Sequence, residues 1–215
     1  MMGEAPIVMV EYVKSGLAGD EINVRKQMSE IFVEGFYGWL KYFGKDKTRL
    51  AKAFEHIFDL DRFYVAISTE NKENAEIVSI CAANHGETPP ILLNAAILKS
   101  HLGFIKGWLA DKMLNEHLIR KVYPFEIAKD CGIIEYVATN PKYRGRGIAK
   151  ALIKYSMDNS DYKKFILEVA DNNANAIAFY EKLGFTEFAR LPEHGARFSG
   201  VSVYVYMKYK KNLKG

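Results

Sequence analysis

The chain has 215 residues, 49% hydrophobic and 26% charged, with thirteen Phe, thirteen Tyr and two Trp. That composition suits one globular domain with a sizeable core and excludes general disorder, collagen-like structure and low complexity. Thirty basic against 26 acidic residues give a formal charge of +4, concentrated most clearly at Lys208, Lys210, Lys211 and Lys214. Without a basic stripe on a structured face, no nucleic-acid partner is expected.

The longest stretch free of charge is Thr88 to Leu98, eleven residues, against roughly eighteen for a membrane span, so no membrane segment is expected. The N-terminal sequence MMGEAPIVMVEYV carries an acid where a secretory signal has its basic region, which places the expected location in the cytoplasm. Cys81 and Cys131 lie in apolar surroundings with no CxxC spacing, and read as core residues rather than as metal ligands or a disulfide. No metal is expected.

In chain order, Ile7 to Val13 is rich in β-branched residues and reads as a first strand, with Gly16, Gly19 and Asp20 as a turn and helix start. Apolar positions then recur at helical spacing to Ile57, broken around Gly44 to Asp46, which gives two helices. Phe63–Ser68 and Ile77–Asn84 read as a hairpin across the polar loop TENKENAE. The segment between His85 and Gly132 opens with the breaker GETPP and then carries Leu98, Leu102, Ile105, Leu109 and Met113 on one face of a predicted long helix. Phe104 and Trp108, on its other side, are either core packing or the lining of a pocket. A connection of that length serves as a lid or as a contact between two copies of the chain, a homodimer. Ile133–Thr139 is a strand ending at Asn140-Pro141, Gly147–Asn159 an amphipathic helix, Phe165–Ala170 a strand, and Ala174–Gly184 a helix closed by glycine. FTEFARL and VSVYVYMKY finish as a second hairpin. The whole reads as one domain, 1–215, with a helical insertion at about 86–132.

The stretch Arg144-Gly145-Arg146-Gly147-Ile148-Ala149 follows a strand and a proline turn and opens a helix. Two glycines and the free amides of a helix start make an anion cradle that fits a pyrophosphate. It is not a Walker loop, which needs a Gly-Lys pair. Nor is it a dinucleotide fingerprint, whose third glycine position is occupied here by Lys150.

Arg144, Gly147 and Ala149 fill the pattern Arg or Gln, two residues, Gly, one residue, Gly or Ala. In this the segment resembles the acetyl-CoA loop of the GNAT superfamily of N-acetyltransferases. Downstream, LEVADNNANAIAFYEKLGF is similar to the family's second motif, with Asn173, Ala176, Phe179-Tyr180 and Leu183-Gly184-Phe185 at the family's spacings. The matching covers roughly Ile133 to Phe188.

The resemblance implies a mixed α+β fold, with a central, mostly antiparallel twisted sheet flanked by helices; the helical insertion before the fourth strand departs from the family pattern, in which that connection is shorter. It implies acetyl-CoA as co-substrate and an amine acceptor. Val137, Ala138 and Thr139 would lend backbone groups to the pantetheine arm, in a slot where that strand splays from the one ending at Ala170. Amides from Gly145 to Ala149, Arg146 and Ile148 among them, would hold the pyrophosphate, and Asn173 would bond the pantetheine. Tyr180 would protonate the leaving thiolate; read from the residues alone, it is equally a core aromatic beside Phe179. The acceptor ammonium must lose a proton before attack. Glu135, in an otherwise apolar strand, is the candidate base, or else it lies on an edge or pairs with a lysine. Glu168 is its rival, and His85 and His117 are lone histidines of the kind that are usually structural. The expected activity is transfer of an acetyl group to a primary amine; the alternative is a silent acyl-CoA-binding module.

Overall fold

FYVAIS, Phe63–Ser68, is buried at every position, and a strand with no solvent face requires cover on both sides. In the computed structural model, which describes residues 10–69, 75–86, 88–192 and 200–211, that cover is two layers of helices on one sheet. The strands are β1 (Val10–Lys14), β2 (Phe63–Ser68), β3 (Glu76–Asn84), β4 (Cys131–Thr139), β5 (Lys164–Ala170), β6 (Thr186–Pro192) and β7 (Val203–Lys210). They stand in the order β1-β2-β3-β4-β5-β7-β6, and each pairing is antiparallel except that of β4 with β5. The mostly antiparallel sheet expected from the resemblance is what forms.

Helices α1 (Glu21–Leu40), α2 (Lys47–Phe54), α3 (Ala95–Leu102) and α4 (Phe104–Leu114) cover one face, and α5 (Ile148–Asp158) and α6 (Ala174–Leu183) the other. The first layer packs Met28, Phe32, Phe54, Leu98 and Leu114 against Phe63, Val65, Ile80 and Ala82. The second packs Leu152, Ile153, Met157 and Leu183 against Tyr64, Ala66, Cys81 and Leu167. Alternate residues of β2 thus feed opposite cores, as the period of two requires. Among the described residues, no helix is long and apolar enough to cross a membrane.

Local chemistry sets the boundaries. Asp46 caps α2, its Oδ1 accepting from the amides of Thr48 (2.9 Å) and Arg49 (3.2 Å), which is why the chain breaks there. Asn94 caps α3 in the same way, and Gly184, at φ +96°, closes α6. The first strand, expected over Ile7 to Val13, is described from Val10 and continues to Lys14; residues 1–9 lie outside the described residues. The two expected hairpins pair antiparallel. Most of TENKENAE (70–74) and of the last hairpin's connection (193–199) also lie outside them.

The single long helix expected through Leu98 and Met113 is instead two. Gly103 adopts φ +85° and ψ 161°, a conformation that ends a right-handed helix and that glycine alone adopts readily. The hydrophobic phase changes there: Leu98 and Leu102 are buried before the break and Gly107, Ala110 and Leu114 after it, while Ile105 is 77% exposed. Counting the period straight through Gly103 therefore placed Ile105 on the wrong face. Phe104 and Trp108, at 75% and 50% exposure, are not core residues. Because Leu98, Leu102, Ala110 and Leu114 join the core of α1 and α2, the helical hairpin is part of the main body, not a lid.

The crossing of α3 and α4 depends on Gly107, where a Cβ would stand 2.4 Å from Lys99 Cα and 2.6 Å from Lys99 N. Alanine would improve helix propensity by about 1 kcal/mol, but the clash is with backbone, and overpacking of that kind costs about 1–3 kcal/mol. Gly107→Ala is expected to lower the thermal midpoint, measured by circular dichroism; an unchanged or raised midpoint would show that the two helices can separate freely.

Candidate active site

Strands β4 and β5 pair only at Cys131–Lys164, Gly132–Phe165 and Ile133–Ile166, yet run on to Thr139 and Ala170. Beyond Ile133 the sheet opens as a wedge. Its cause is visible on the other edge of β4, where Ile80 pairs with Ala138 but Ala82 with Glu135, so that Tyr136 and Val137 together oppose Cys81. Such a bulge bends its strand and interrupts the ladder. Tyr136 has φ +52° and is the one non-glycine with positive φ among the described residues, a conformation costing on the order of 1–3 kcal/mol. Its ring is held by those of Phe32, Phe36 and Phe63 at centroid distances of 6.0, 6.1 and 6.1 Å.

At the open end of the wedge, Asn140 and Tyr143 are tied back to β3 by one carboxylate. Asn140 Nδ2 donates to Glu76 Oε1 (3.2 Å) and Tyr143 Oη to Glu76 Oε2 (2.9 Å), while Asn140 N donates to Val78 O (2.9 Å). Arg144 Nε reaches back to Thr139 O (3.0 Å), and the Arg146 guanidinium lies 5.4 Å from the Tyr143 ring centroid. Gly145 and Gly147 have φ of +76° and +75°, and a Cβ on either would meet nothing within 4 Å. Backbone conformation requires them, and the space before them is open. Helix α5 begins at Ile148 without a side-chain cap, leaving its first amides to solvent or to a ligand. Ile148 is buried and anchors this end of the helix to the core, while Ala149 is half-buried.

The other predicted residues lie on β4, after β5 and on α6. Val137, Ala138 and Thr139 form its β4 wall, where Ser79 Oγ donates to Ala138 O (2.9 Å) and lies 2.8 Å from Thr139 Oγ1. Asn173 Oδ1 accepts from Ala176 N (3.1 Å) and caps α6. Tyr180 packs between Phe179 and Phe185, centroids 5.2 and 5.9 Å away. Burial, with a smaller effect from Cys81, raises its phenol above the ordinary value, so it remains a proton donor across the neutral range. Cys81 is the residue opposite the bulge, which sets Tyr180 on the α5–α6 side of the opening.

Glu135 and Glu168 lie on the other side, two residues beyond Ile133 and Ile166 on the face that those two bury. Glu135 is not a lone carboxylate. Lys121 Nζ stands 2.5 Å from Glu168 Oε1 and 3.5 Å from Glu135 Oε1, and Tyr123 Oη donates to Glu135 Oε1 (3.1 Å). The lysine partner foreseen as the alternative for Glu135 is thus present. Burial alone would depress the Lys121 ammonium, but Glu168, Tyr123 and Glu135 hold it well above the ordinary lysine value.

Reading the sequence missed Lys121, Tyr123, Glu76 and Tyr143. The period-two run Lys121, Tyr123, Phe125, Ile127 was the available signal for the first two; Glu76, set by tertiary contact, had none. His85 follows β3, whose last residue pairs with Ile133, at the end of β4 away from the wedge, and His117 sits in a π-turn, Asn115–Ile119. A cleft of about 500 Å³ lined by Phe125, Cys131, Lys164 and Phe188 lies at the starts of β4 and β5, the opposite end from Thr139 and Ala170, and takes no part in this arrangement.

Residues 41–185 match the family model described as Acetyltransferase (GNAT) family. The N-alpha-acetyltransferase 30 of Schizosaccharomyces pombe is 35% identical over 81 residues, 36% of this chain and 53% of that protein; the chain therefore matches about half the length of that relative. Among solved structures, the ribosomal-protein-S18-alanine N-acetyltransferase of Escherichia coli superposes with a TM-score of 0.52 at 15% identity, covering 96% of this chain and 97% of that one. A chain of the NatC complex bound to Gag peptide and CoA superposes with a TM-score of 0.54 at 13% identity, covering 94% and 99%. At such identities these two likenesses speak to the fold.

Cys81, opposite the bulge, provides a check on how dry this part of the site is. Burial pushes its thiol up to about 12, slightly offset by a hydrogen bond with Ser156. The folded state favours the neutral thiol, so its contribution is complete below the unfolded value near 9 and is lost as pH rises toward 12. Cys81→Ala is expected to make the alkaline decline of stability shallower by about 1.4 kcal/mol per pH unit between pH 9 and 11, measured by urea unfolding of both proteins. Parallel declines would mean that the thiol is wet.

Proposed function

The chain belongs to the GNAT acetyltransferase family, and on that premise we propose that it is an acetyl-CoA-dependent N-acetyltransferase acting on a primary amine by direct attack. One observation carries the reading: the wedge between β4 and β5 leads from the bulge at Tyr136 to an uncapped helix start preceded by two positive-φ glycines. A pantetheine arm is long and thin, with amide groups that pair with a free strand edge, and its pyrophosphate suits a helix N-terminus. The name of the Schizosaccharomyces pombe relative, an N-alpha-acetyltransferase, supports the reaction class.

In this reading Val137, Ala138 and Thr139 present backbone groups to the pantetheine, the carboxamide nitrogen of Asn173 reaches its other side, and amides from Gly145 to Ala149 take the pyrophosphate, with Arg144 and Arg146 adding positive charge. The acceptor nitrogen attacks the thioester carbonyl carbon, the C–N bond forms and the C–S bond breaks. The proton on the ammonium passes to the Glu135–Glu168 pair, and the departing thiolate takes a proton from the Tyr180 phenol. Acid and base then stand on opposite faces of the sheet. This separation lets the nucleophile enter on one side while the thiol leaves on the other.

Two measurements test the proposal. Gly147→Asp, which places a carboxylate at a backbone position of φ +75° before the expected pyrophosphate, should abolish acetyl-CoA binding in titration calorimetry; unchanged affinity removes the loop assignment. Tyr180→Phe keeps the ring and its packing, so acetyl-CoA affinity should survive while kcat falls by about 10²–10⁴-fold. Wild-type kcat where chemistry limits the rate would sink the acid assignment, and absence of turnover by the wild type on a broad amine panel despite tight binding would favour the silent module.

A further inference from the structure

Between Arg120 and Asp130 the chain has no regular secondary structure, yet every second side chain points at the sheet. Tyr123, Phe125 and Ile127 pack on Cys131, Ile133 and Ile166, and the Phe125 ring lies 5.1 Å from those of both Phe188 and Tyr206. Val122, out of phase, is 88% exposed. This strap lies on the face of β4 and β5 that carries Glu135 and Glu168, opposite the face of Tyr180. In phase with its apolar anchors is Lys121.

The pair Glu135 and Glu168 is unusual in itself. Both follow the last paired residues, Ile133 and Ile166, by two positions, and both reach the same ammonium, so without it two like charges would repel at close range. What stabilises them is a seated ammonium. Lys121 Nζ contacts both carboxylates and sits 4.6 Å from the Tyr123 ring centroid, while the Tyr123 hydroxyl donates to Glu135. Two carboxylates and an aromatic face make a receptor for a –CH2–NH3⁺ group, such as the one that ends an unbranched alkyl chain. Lys121 is such a group, and its side chain is 21% exposed.

We propose that Lys121 stands in the acceptor's place: its ammonium fills the position between Glu135 and Glu168 that the acceptor's ammonium takes, so the strap gates the acceptor side and selects an unbranched primary alkyl amine. The acceptor half of this inference rests on the acetyltransferase reading above; the ammonium receptor does not. A branched or aromatic amine would have to enter between the Tyr123 ring and two carboxylates with more bulk than the Lys121 stem brings. An alkyl amine needs only to replace the lysine it resembles.

The experiment refills the position from solution. Lys121→Ala should have a lower thermal midpoint than the wild type, and n-butylammonium chloride should raise it saturably. Tetramethylammonium chloride at the same ionic strength should not, since it cannot donate hydrogen bonds. The wild type should respond to neither, and adding Glu168→Gln to Lys121→Ala should abolish the rescue. Lys121→Ser, whose hydroxyl partly solvates the carboxylates, serves with the same readouts if the alanine variant does not fold. Equal effects of the two salts, or none, would overturn the receptor. In turnover with acetyl-CoA, Lys121→Ala should lower the KM for n-butylamine at least 10-fold with acetyl-CoA affinity unchanged; rescue of stability without that change would overturn the acceptor assignment. Rescue with no acetyl-CoA binding by the wild type would instead remove the acetyltransferase reading and leave the ammonium receptor standing.

Discussion

The bulge at Tyr136 is the constraint on which the site depends. A tyrosine at φ +52° does not persist on local preference, since a side chain in the left-handed region costs free energy that glycine avoids. Here Phe32 and Phe36 of α1 and Phe63 of β2 surround the ring, and α1 comes close enough that a Cβ on Gly35 would lie 2.7 Å from Ala138 Cβ. Packing of the first core layer therefore fixes a backbone conformation in β4. That conformation ends the pairing with β5 and opens the wedge. The chain of causes runs from an aromatic cluster between α1, β2 and β4 to the geometry of the opening.

The same bulge divides the chemistry between the faces. Residues before it on β4 alternate so that Glu135 faces the strap, while Cys81, opposite the bulge on β3, belongs to the core of α5 and α6 and neighbours Tyr180 electrostatically. An apolar setting that keeps the phenol neutral would be a poor one for a carboxylate, and a site crowded with carboxylates would raise the phenol without orienting it. Separate faces would let each group have the environment its proposed role requires.

Much of this was legible in the sequence because it is local. The two helices divided near Asp46, the hairpins, the glycine turn before α5 and the capped helix from Ala174 depend on short-range chemistry that a sequence displays directly. Asn173 and Tyr180 were singled out by the family resemblance, and the capping role of Asn173 emerges only from the structure. The splay of β4 from β5 came from family resemblance alone. The insertion was misread because Gly103 ends one helix and starts another without disturbing the spacing of Leu98, Leu102, Ile105 and Leu109, and only the burial of Gly107 and Ala110 reveals the change of phase. Glu76 could not be foreseen, since its bonds to Asn140 and Tyr143 span more than sixty residues.

Stability alone does not account for the cluster at Lys121. A half-buried ion pair gains little net free energy, because desolvation offsets most of the Coulomb attraction, and apolar residues of similar size are commonly as stable. The neighbouring positions show that this strap can be held that way: Phe125 and Ile127 anchor it through rings and aliphatic carbon. Two neighbouring carboxylates just past the closed end of the wedge carry a cost that the apolar anchors do not, and that cost is met only while an ammonium sits between them. A position that must hold an ammonium, beside a strand opening that suits a thioester, has the charge and the place that an amine acceptor requires.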